Sequence, residues 1–283
     1  MKIAHFFALA VATVLSLTNV FAATERKFAF DTLPYSANTS VVGLDGWTAA
    51  VIDSGDNNDA MVVDLAHAPN GRALRITSSS TQVISRRRTS ISNTFGSGNE
   101  VSGPLQIKMS VAFDTTNLAN GSSAIIGFHP TNNNTPPLLI AFTPNKGIYL
   151  ALGSPDTGSY PGLDDTTLVS SSLMKMGSFY DFTIDIDYDS RTFDLTLTGL
   201  DKDDNIINIT RSGIGFQSTA SNVLKSINGI RIENYRGDLI TVDIAHISIV
   251  AIPEPKLGAL MLMGAGGALA FFRRRSHRKQ TPA

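Results

Sequence analysis

The sequence predicts an all-β protein built as a two-sheet antiparallel sandwich, and three observations support this fold class. Apolar and polar residues alternate with period two over long stretches; the clearest runs from Leu105 to Phe113. Turn segments rich in Gly, Asn, Asp and Pro separate these stretches. Helix signals are nearly absent before the C-terminal tail. A dozen or so short strands joined by polar turns are typical of a sandwich.

The individual strands follow from the same alternation. Phe182–Tyr188 and Phe193–Leu197 alternate on either side of the turn 189–191, which predicts a β-hairpin. The last strand, 239–250, changes phase part-way, which predicts a β-bulge near Ala245-His246. Further strands are predicted at 47–52, 61–65, 72–77, 81–88, 123–129, 138–143, 147–152, 206–210 and 228–234.

The N-terminus has the three parts of a secretory signal peptide, predicted to cover residues 1–22. Lys2 precedes the apolar stretch Ile3–Val20, and the small residues Ala22 and Ala23 follow. A positive start, an apolar centre and a small-residue exit are what signal cleavage requires. Removal of this segment leaves one mature β-sandwich domain, residues 24–251, which is long enough to bury a substantial core.

The C-terminus also has three parts in a fixed order. The triplet Pro253-Glu254-Pro255 precedes an uncharged apolar run, Leu257–Phe272, which a basic cluster containing Arg273, Arg274 and Arg275 follows directly. Such a cluster is expected to stay in the cytoplasm, which places the preceding domain across the membrane. Sixteen helical residues rise about 24 Å against a hydrocarbon core of roughly 30 Å, so the predicted membrane helix is short.

This tail, residues 252–279, resembles the PEP-CTERM sorting signal of Gram-negative bacteria. The resemblance implies export by the secretion machinery, transient anchoring in the inner membrane, and processing by an exosortase-type enzyme near Pro253-Glu254-Pro255. The expected destination is the cell surface or an exopolysaccharide matrix. The alternative is a single-pass C-terminal anchor with an accidental Pro-Glu-Pro triplet.

Composition excludes several function classes. The chain contains no cysteine, so neither disulfides nor thiol chemistry are available. Between the two terminal segments, 16 basic side chains face 23 acidic ones. Such an acidic body gains nothing from nucleic-acid phosphates, and we expect no nucleic-acid partner.

The body resembles the concanavalin-A-like, or jelly-roll, modules of bacterial surface proteins. The resemblance rests on Phe28-Ala29-Phe30-Asp31 with Leu44-Asp45-Gly46-Trp47, on the hairpin Phe179–Leu197, and on Ile230-Arg231-Ile232 with Val242-Asp243-Ile244. It implies a lectin-like sandwich that binds glycans, hydrolyses them or only fills space. It also implies a structural calcium ion between first and last strands, at Asp31 and Asp243; we expect no other cofactor.

No catalytic constellation stands out. Glycoside hydrolysis normally needs two carboxyl groups flanking the bond. Asp185, Asp187 and Asp189 share one strand face, which we interpret as a solvent face rather than a catalytic ladder. The histidines lack metal-binding spacing, and no nucleophile elbow is present. We therefore predict a non-catalytic protein; the alternative is an extracellular glycoside hydrolase or lyase of the lectin-like sandwich class.

Two aromatic residues are candidates for glycan binding. Tyr160 lies in the polar loop 153–162, where a ring can stack on a sugar. Trp47 is the second candidate, although the apolar strand that follows it favours a place in the core. The oxygen-rich loops 53–59 and 201–205 could supply calcium ligands, but ordinary Asx turns explain them better.

Overall fold

The computed structural model describes residues 25–51, 60–77, 88–95, 100–115, 123–129, 139–151, 166–215, 226–235 and 240–252. Every regular element within these ranges is a β-strand, which confirms the all-β prediction. No helix in the described ranges is long and apolar enough to cross a membrane. The strands are β1 Glu25–Ala29, β2 Thr39–Ser40, β3 Trp47–Val51, β4 Ala60–Asp64, β5 Arg72–Ile76, β6 Arg88–Thr94, β7 Val101–Ser102, β8 Leu105–Thr115, β9 Ser123–His129, β10 Leu139–Thr143, β11 Gly147–Ala151, β12 Thr166–Ser170, β13 Phe179–Asp187, β14 Thr192–Leu200, β15 Ile206–Gly215, β16 Ser226–Ile227, β17 Gly229–Tyr235 and β18 Ile240–Ala251.

The strands form two large antiparallel sheets. The nine-stranded sheet has the order β15-β14-β13-β8-β18-β5-β4-β2, and β1 also pairs with β18. The seven-stranded sheet has the order β12-β11-β10-β9-β17-β6-β3. A small two-stranded sheet joins β16 to β7.

One apolar core joins the inner faces of both sheets. Alternate residues of β8 point into it, and Phe113 stacks on Phe142 of the seven-stranded sheet with ring centroids 5.0 Å apart. Fully burying one large apolar side chain contributes roughly 1.5–3 kcal/mol. Because both sheets give one apolar face to this core, the predicted antiparallel two-sheet arrangement is confirmed.

The hairpin and the bulge are confirmed in detail. Strands β13 and β14 pair antiparallel around a tight turn in which Arg191 has a φ of +57°. In β18 the pairing with β8 shifts register between Ile244 and His246, so Ala245 is the extra residue. This insertion keeps both halves of β18 facing the core despite the change of phase.

The sequence did not predict most of one strand. Of the predicted strand 81–88, residues 81–87 lie outside the described ranges, and the described strand β6, Arg88–Thr94, begins at its last residue. β6 carries Thr89, Ser90 and Ser92, so its sequence looks like a loop. It forms a strand because it pairs on both sides, with β17 and β3.

Candidate functional site

The outer face of the seven-stranded sheet carries the most unusual group of side chains in the described part of the chain. Registers align Leu139, Gly127, Arg231, Ser92 and Thr48 in one row across β10, β9, β17, β6 and β3. Exposure changes along this row, from exposed Thr48 to buried Leu139. We call the polar part of this face, Thr48, Ser92, His129, Arg231 and Glu233, the outer-face site.

One half of this face is closed. Ile125, Leu139, Ala141 and Tyr149 form a second apolar cluster, separate from the main core, and none is more than 3% exposed. Lys146 places its ammonium group 5.3 Å from the centre of the Tyr149 ring, a cation–π contact. The outer-face site therefore borders on a surface that is protected from water.

An ion pair lies at this border. Arg231 and Glu233 are two residues apart on β17, so both side chains point to the outer face. Their guanidinium and carboxylate groups form a salt bridge. The Glu233 side chain is only 6% exposed, whereas that of Arg231 is 31% exposed. A carboxylate this deeply buried needs a charged partner, and Arg231 supplies it while still reaching water.

His129 completes the outer-face site. It ends β9 and pairs with Gly229, diagonally next to Arg231. Burial, together with the positive charge of Arg231, lowers the pKa of His129 to about 4. The imidazole is therefore neutral near pH 7 and presents one donor and one acceptor nitrogen.

Two glycines leave part of this outer face without side chains. Gly127 lies between Leu139 and Arg231 in the row, and Gly229 lies opposite His129. A Cβ atom at Gly229 would come within 2.8 Å of the backbone oxygen of Asn93, so no side chain fits there. The neighbouring polar side chains therefore lie next to backbone that no side chain covers.

The structure places Trp47 in the core, as the apolar strand that follows it favours, and not at a glycan-binding surface. Its side chain is 1% exposed and contacts Phe28 edge-on, with ring centroids 5.2 Å apart. Its indole N–H donates to the hydroxyl of Tyr35, which in turn donates to Asp45. A ring enclosed in this way offers no face to a sugar.

Other predicted site residues lie outside the described ranges. They are Tyr160 and the sorting residues Pro253, Glu254, Pro255, Arg273, Arg274 and Arg275. Their roles stay predictions, as do the signal peptide and the C-terminal membrane helix.

The three aspartates at 185, 187 and 189 behave as a solvent face. Asp185 accepts a hydrogen bond from Gln106. Asp187 is fully exposed and accepts from the Ser190 hydroxyl and from the backbone N–H groups of Asp189 and Ser190. These bonds lower the pKa of Asp187, whereas a catalytic acid needs a raised pKa. Asp187 therefore serves the hairpin turn.

Asp31 and Asp243 do not fit the calcium site that the resemblance implies. Both carboxylate oxygens of Asp243 accept hydrogen bonds from Arg75, each at 2.8 Å. No cluster of three or more His, Asp or Glu residues suited to a metal occurs in the described ranges. One oxygen of Asp31 is buried without a hydrogen bond, but no group of three such residues in the described ranges includes it.

The loop 201–205 forms an Asx turn. Asp201 accepts hydrogen bonds from the backbone N–H groups of Asp203 and Asn205. Asp203 and Asp204 pair with Lys202 and Lys175. The carboxylates of this loop are thus engaged within the protein; the loop 53–59 lies outside the described ranges.

Sequence reasoning missed the outer-face site. His129 and Glu233 stand alone in the sequence, and only the Arg231-x-Glu233 spacing indicates a shared strand face. What joins them to His129 is the pairing of β17 with β9 across about a hundred residues of chain, and no local pattern encodes that register.

Comparisons with known proteins found structural similarity only. No protein-family model and no curated protein sequence matches the chain. Peanut lectin is 12% identical with a TM-score of 0.44, over 80% of this chain and 97% of its own. A PL-14 alginate lyase from Aplysia kurodai is 10% identical with a TM-score of 0.45, over 69% and 88%. Lectin II from Ulex europaeus is 10% identical with a TM-score of 0.44, over 80% and 97%. At this identity no residue role is transferred.

Proposed function

We propose that this chain is an exported, non-catalytic surface or matrix protein whose sandwich binds extracellular polysaccharide on the outer face of its seven-stranded sheet. The observation that carries the proposal is the graded row on that face. It runs from exposed Thr48 through half-buried Ser92 to half-buried Arg231 and ends against the closed apolar cluster.

The chemistry of the outer-face site suits a sugar chain. Sugars present many hydroxyl groups, each of which can donate and accept a hydrogen bond. The hydroxyls of Thr48 and Ser92 lie 3.2 Å apart, and the guanidinium group of Arg231 adds several donors in one plane. The polar part of the row crosses three strands, roughly 10 Å at about 4.8 Å per strand, so it can contact one or two sugar rings.

The predicted terminal segments support the extracellular part of the proposal. A signal peptide and a PEP-CTERM-like tail would bring the sandwich to the outside of the cell, where polysaccharide is available. We expect the protein recovered from the matrix to lack about 22 N-terminal residues and everything after about Pro253, as intact mass would show. A mass that keeps Leu257–Ala283 would favour the single-pass anchor instead.

Two double variants test binding, and each removes one pair of hydroxyl groups from one of the two sheets. Thr48→Val with Ser92→Ala removes two hydroxyls from the outer-face site. Thr183→Val with Thr196→Val removes a cross-strand hydroxyl pair from the nine-stranded sheet and is the matched control. Using a panel of matrix polysaccharides in a pull-down assay, we expect at least a tenfold loss of binding for the first variant only.

Two outcomes would contradict the outer-face site. Equal binding by both variants together with loss in Tyr160→Ala would move the site to the loop 153–162. No binding of the unaltered chain to any polysaccharide in the panel would leave a passive matrix protein.

A lyase is the second candidate function, because His129 and Arg231 are neighbours. A neutral imidazole can remove a proton from carbon, and a guanidinium group can stabilise the negative charge that develops. Incubation with uronate polysaccharides would then give shortened chains with unsaturated ends, and His129→Ala would abolish them. Polysaccharide that is still intact after prolonged incubation would exclude the lyase and favour the binding function.

A further inference from the structure

The edge of the nine-stranded sheet ends in a long strand with little protection. β15, Ile206–Gly215, pairs only with β14 among the described strands. Seven of its ten residues are exposed. Its first half, Ile206–Thr210, contains three isoleucines and no charged side chain. An edge of this kind is a template for pairing with another strand.

The other edges of the two large sheets, among the described strands, are protected in ways that the first half of β15 is not. β1 carries Glu25, Arg26 and Lys27 among its five residues. β2 has only two residues. β3 and β12 have five residues each, and both have a register irregularity in their pairing. Charge, short length and bulges all discourage edge pairing.

Exposed apolar side chains surround the start of β15. Ile206 is 82% exposed and lies directly opposite Leu200 of β14, which is 36% exposed. Leu173 is 51% exposed, and its carbonyl accepts a hydrogen bond from the N–H of Lys202 in the adjoining turn. Three such residues at one corner form a patch typical of an interaction surface.

We propose that Ile206–Thr210 pairs antiparallel with the same segment of a second copy of this chain, centred on Asn208. This register places Ile207 opposite Ile209 and Ile206 opposite Thr210 of the other copy. Each strand meets an identical strand, so one two-fold axis satisfies both. The occupant is a second copy because an uncharged segment meets no repulsion from itself.

The charges outside this segment complement one another in the same register. Arg211 of one copy lies opposite Asn205 of the other, next to the turn that holds Asp203 and Asp204. The second half of β15 does not join the pairing, since its register with β14 shifts and Gly213 has a φ of +66°. Five paired residues make a small contact, so we expect a dimer that depends on protein concentration.

A cysteine trap tests this pairing in the full chain. The protein has no cysteine, so Asn208→Cys adds the single thiol of the molecule. Directly opposed residues of antiparallel strands have Cα atoms about 4.5–5.5 Å apart, within the range for a disulfide. We expect mild oxidation to give a crosslinked dimer. Asn145→Cys, at the exposed middle residue of the turn 144–146, is the matched control and should stay monomeric on a non-reducing gel.

A charge exchange tests the register independently of crosslinking. Asn208→Asp and Asn208→Lys each place like charges opposite one another in the dimer, which disfavours pairing. In sedimentation we expect each variant alone to be monomeric, and an equimolar mixture to dimerise like the unaltered chain. Asn145→Asp should leave dimerisation unchanged.

Three results would overturn the inference. They are a chain that stays monomeric at high concentration, a dimer that survives Asn208→Asp, and a mixture of the two variants that fails to associate. Dimers held by the predicted C-terminal helix would show in the control as well as in the variants at position 208, and would therefore be recognised.

Discussion

The outer faces of the two sheets differ in their relation to water. On the nine-stranded sheet, β13 alternates between buried and accessible residues along its whole length. On the seven-stranded sheet, the first six residues of β9 are all buried. A strand with one polar face lies against solvent, whereas a strand apolar on both faces must be covered on both. The same fold therefore has an open side and a partly closed side.

This difference indicates where a functional site can form. Polar groups on the open face lie in water and need no partner. Polar groups at the border of the closed face must be paired, and they keep their orientation because packing holds them. Arg231, Glu233 and His129 are in this second situation, which is why we place the binding function there.

The largest expected effect concerns a position where the outer face of the nine-stranded sheet is locally closed. Asp243 lies on the outer face of the nine-stranded sheet, yet its side chain is 4% exposed and paired with Arg75. Arg75→Met leaves that carboxylate buried without its partner. We expect the free energy of unfolding to fall by about 3–5 kcal/mol in chemical denaturation.

The matched control for this change is Arg72→Met. Arg72 pairs with Asp64, and both side chains are well exposed, 36% and 65%. Surface pairs of this kind contribute under about 1 kcal/mol. Equal losses for Arg72→Met and Arg75→Met would mean that the Asp243 carboxylate is solvated after all.

The second prediction compares two leucines on the two outer faces. Leu139 is 3% exposed on the closed face, whereas Leu200 is 36% exposed on the open one. Leu139→Ala removes buried methyl groups, so we expect it to destabilise the protein by about 3 kcal/mol. Leu200→Ala should lower stability by less than about 1 kcal/mol. Similar losses in thermal unfolding would show that the closed face is not closed.

The third prediction concerns acid stability and His129. The pKa of His129 falls from about 6.5 in the unfolded chain to about 4 in the folded one. Between these values the unfolded state binds more protons, so stability falls as the pH drops from 6.5 to 4 and the loss levels off below that. This residue accounts for at most about 3 kcal/mol of the loss.

His129→Gln removes that contribution and should flatten the pH dependence of unfolding between pH 6.5 and 4. Some slope will remain, because burial also lowers the pKa of His246. An unchanged slope in His129→Gln would mean that the imidazole is solvated in the folded state.

The parts of the fold that the sequence predicts are those encoded by local alternation. The hairpin of β13 and β14 and the bulge at Ala245 depend on residues close together in the chain, so both are predictable. β6 was not predicted beyond Arg88, because its sequence is mostly Ser, Thr and Asn and its pairing with β17 and β3 makes it a strand. Local alternation predicts a strand when one of its faces is buried. It does not predict a strand that forms because of its pairing with neighbouring strands.

The candidate site was predictable to a smaller extent for the same reason. For Trp47 the apolar strand that follows it already favours the core, and Tyr35 and Phe28 enclose the ring there. His129 and Arg231 meet only through the register of β9 and β17. The order of strands in a sheet depends on the whole fold, and it cannot be derived from the local pattern of a single sequence.

The smallest expected effect tests whether Asp187, on the outer face of the nine-stranded sheet, has only a structural role. Asp187→Ala removes the acceptor of three hydrogen bonds in the exposed turn between β13 and β14. Those bonds stabilise the ionised form and lower its pKa, so their contribution is present at neutral pH and is lost as the pH falls through that lowered pKa. We expect faster amide hydrogen exchange in this turn and little change in the melting temperature. If the variant instead lost a glycan-cleaving activity that the unaltered chain possesses, Asp187 would be a catalytic carboxylate and the open face would be the functional one.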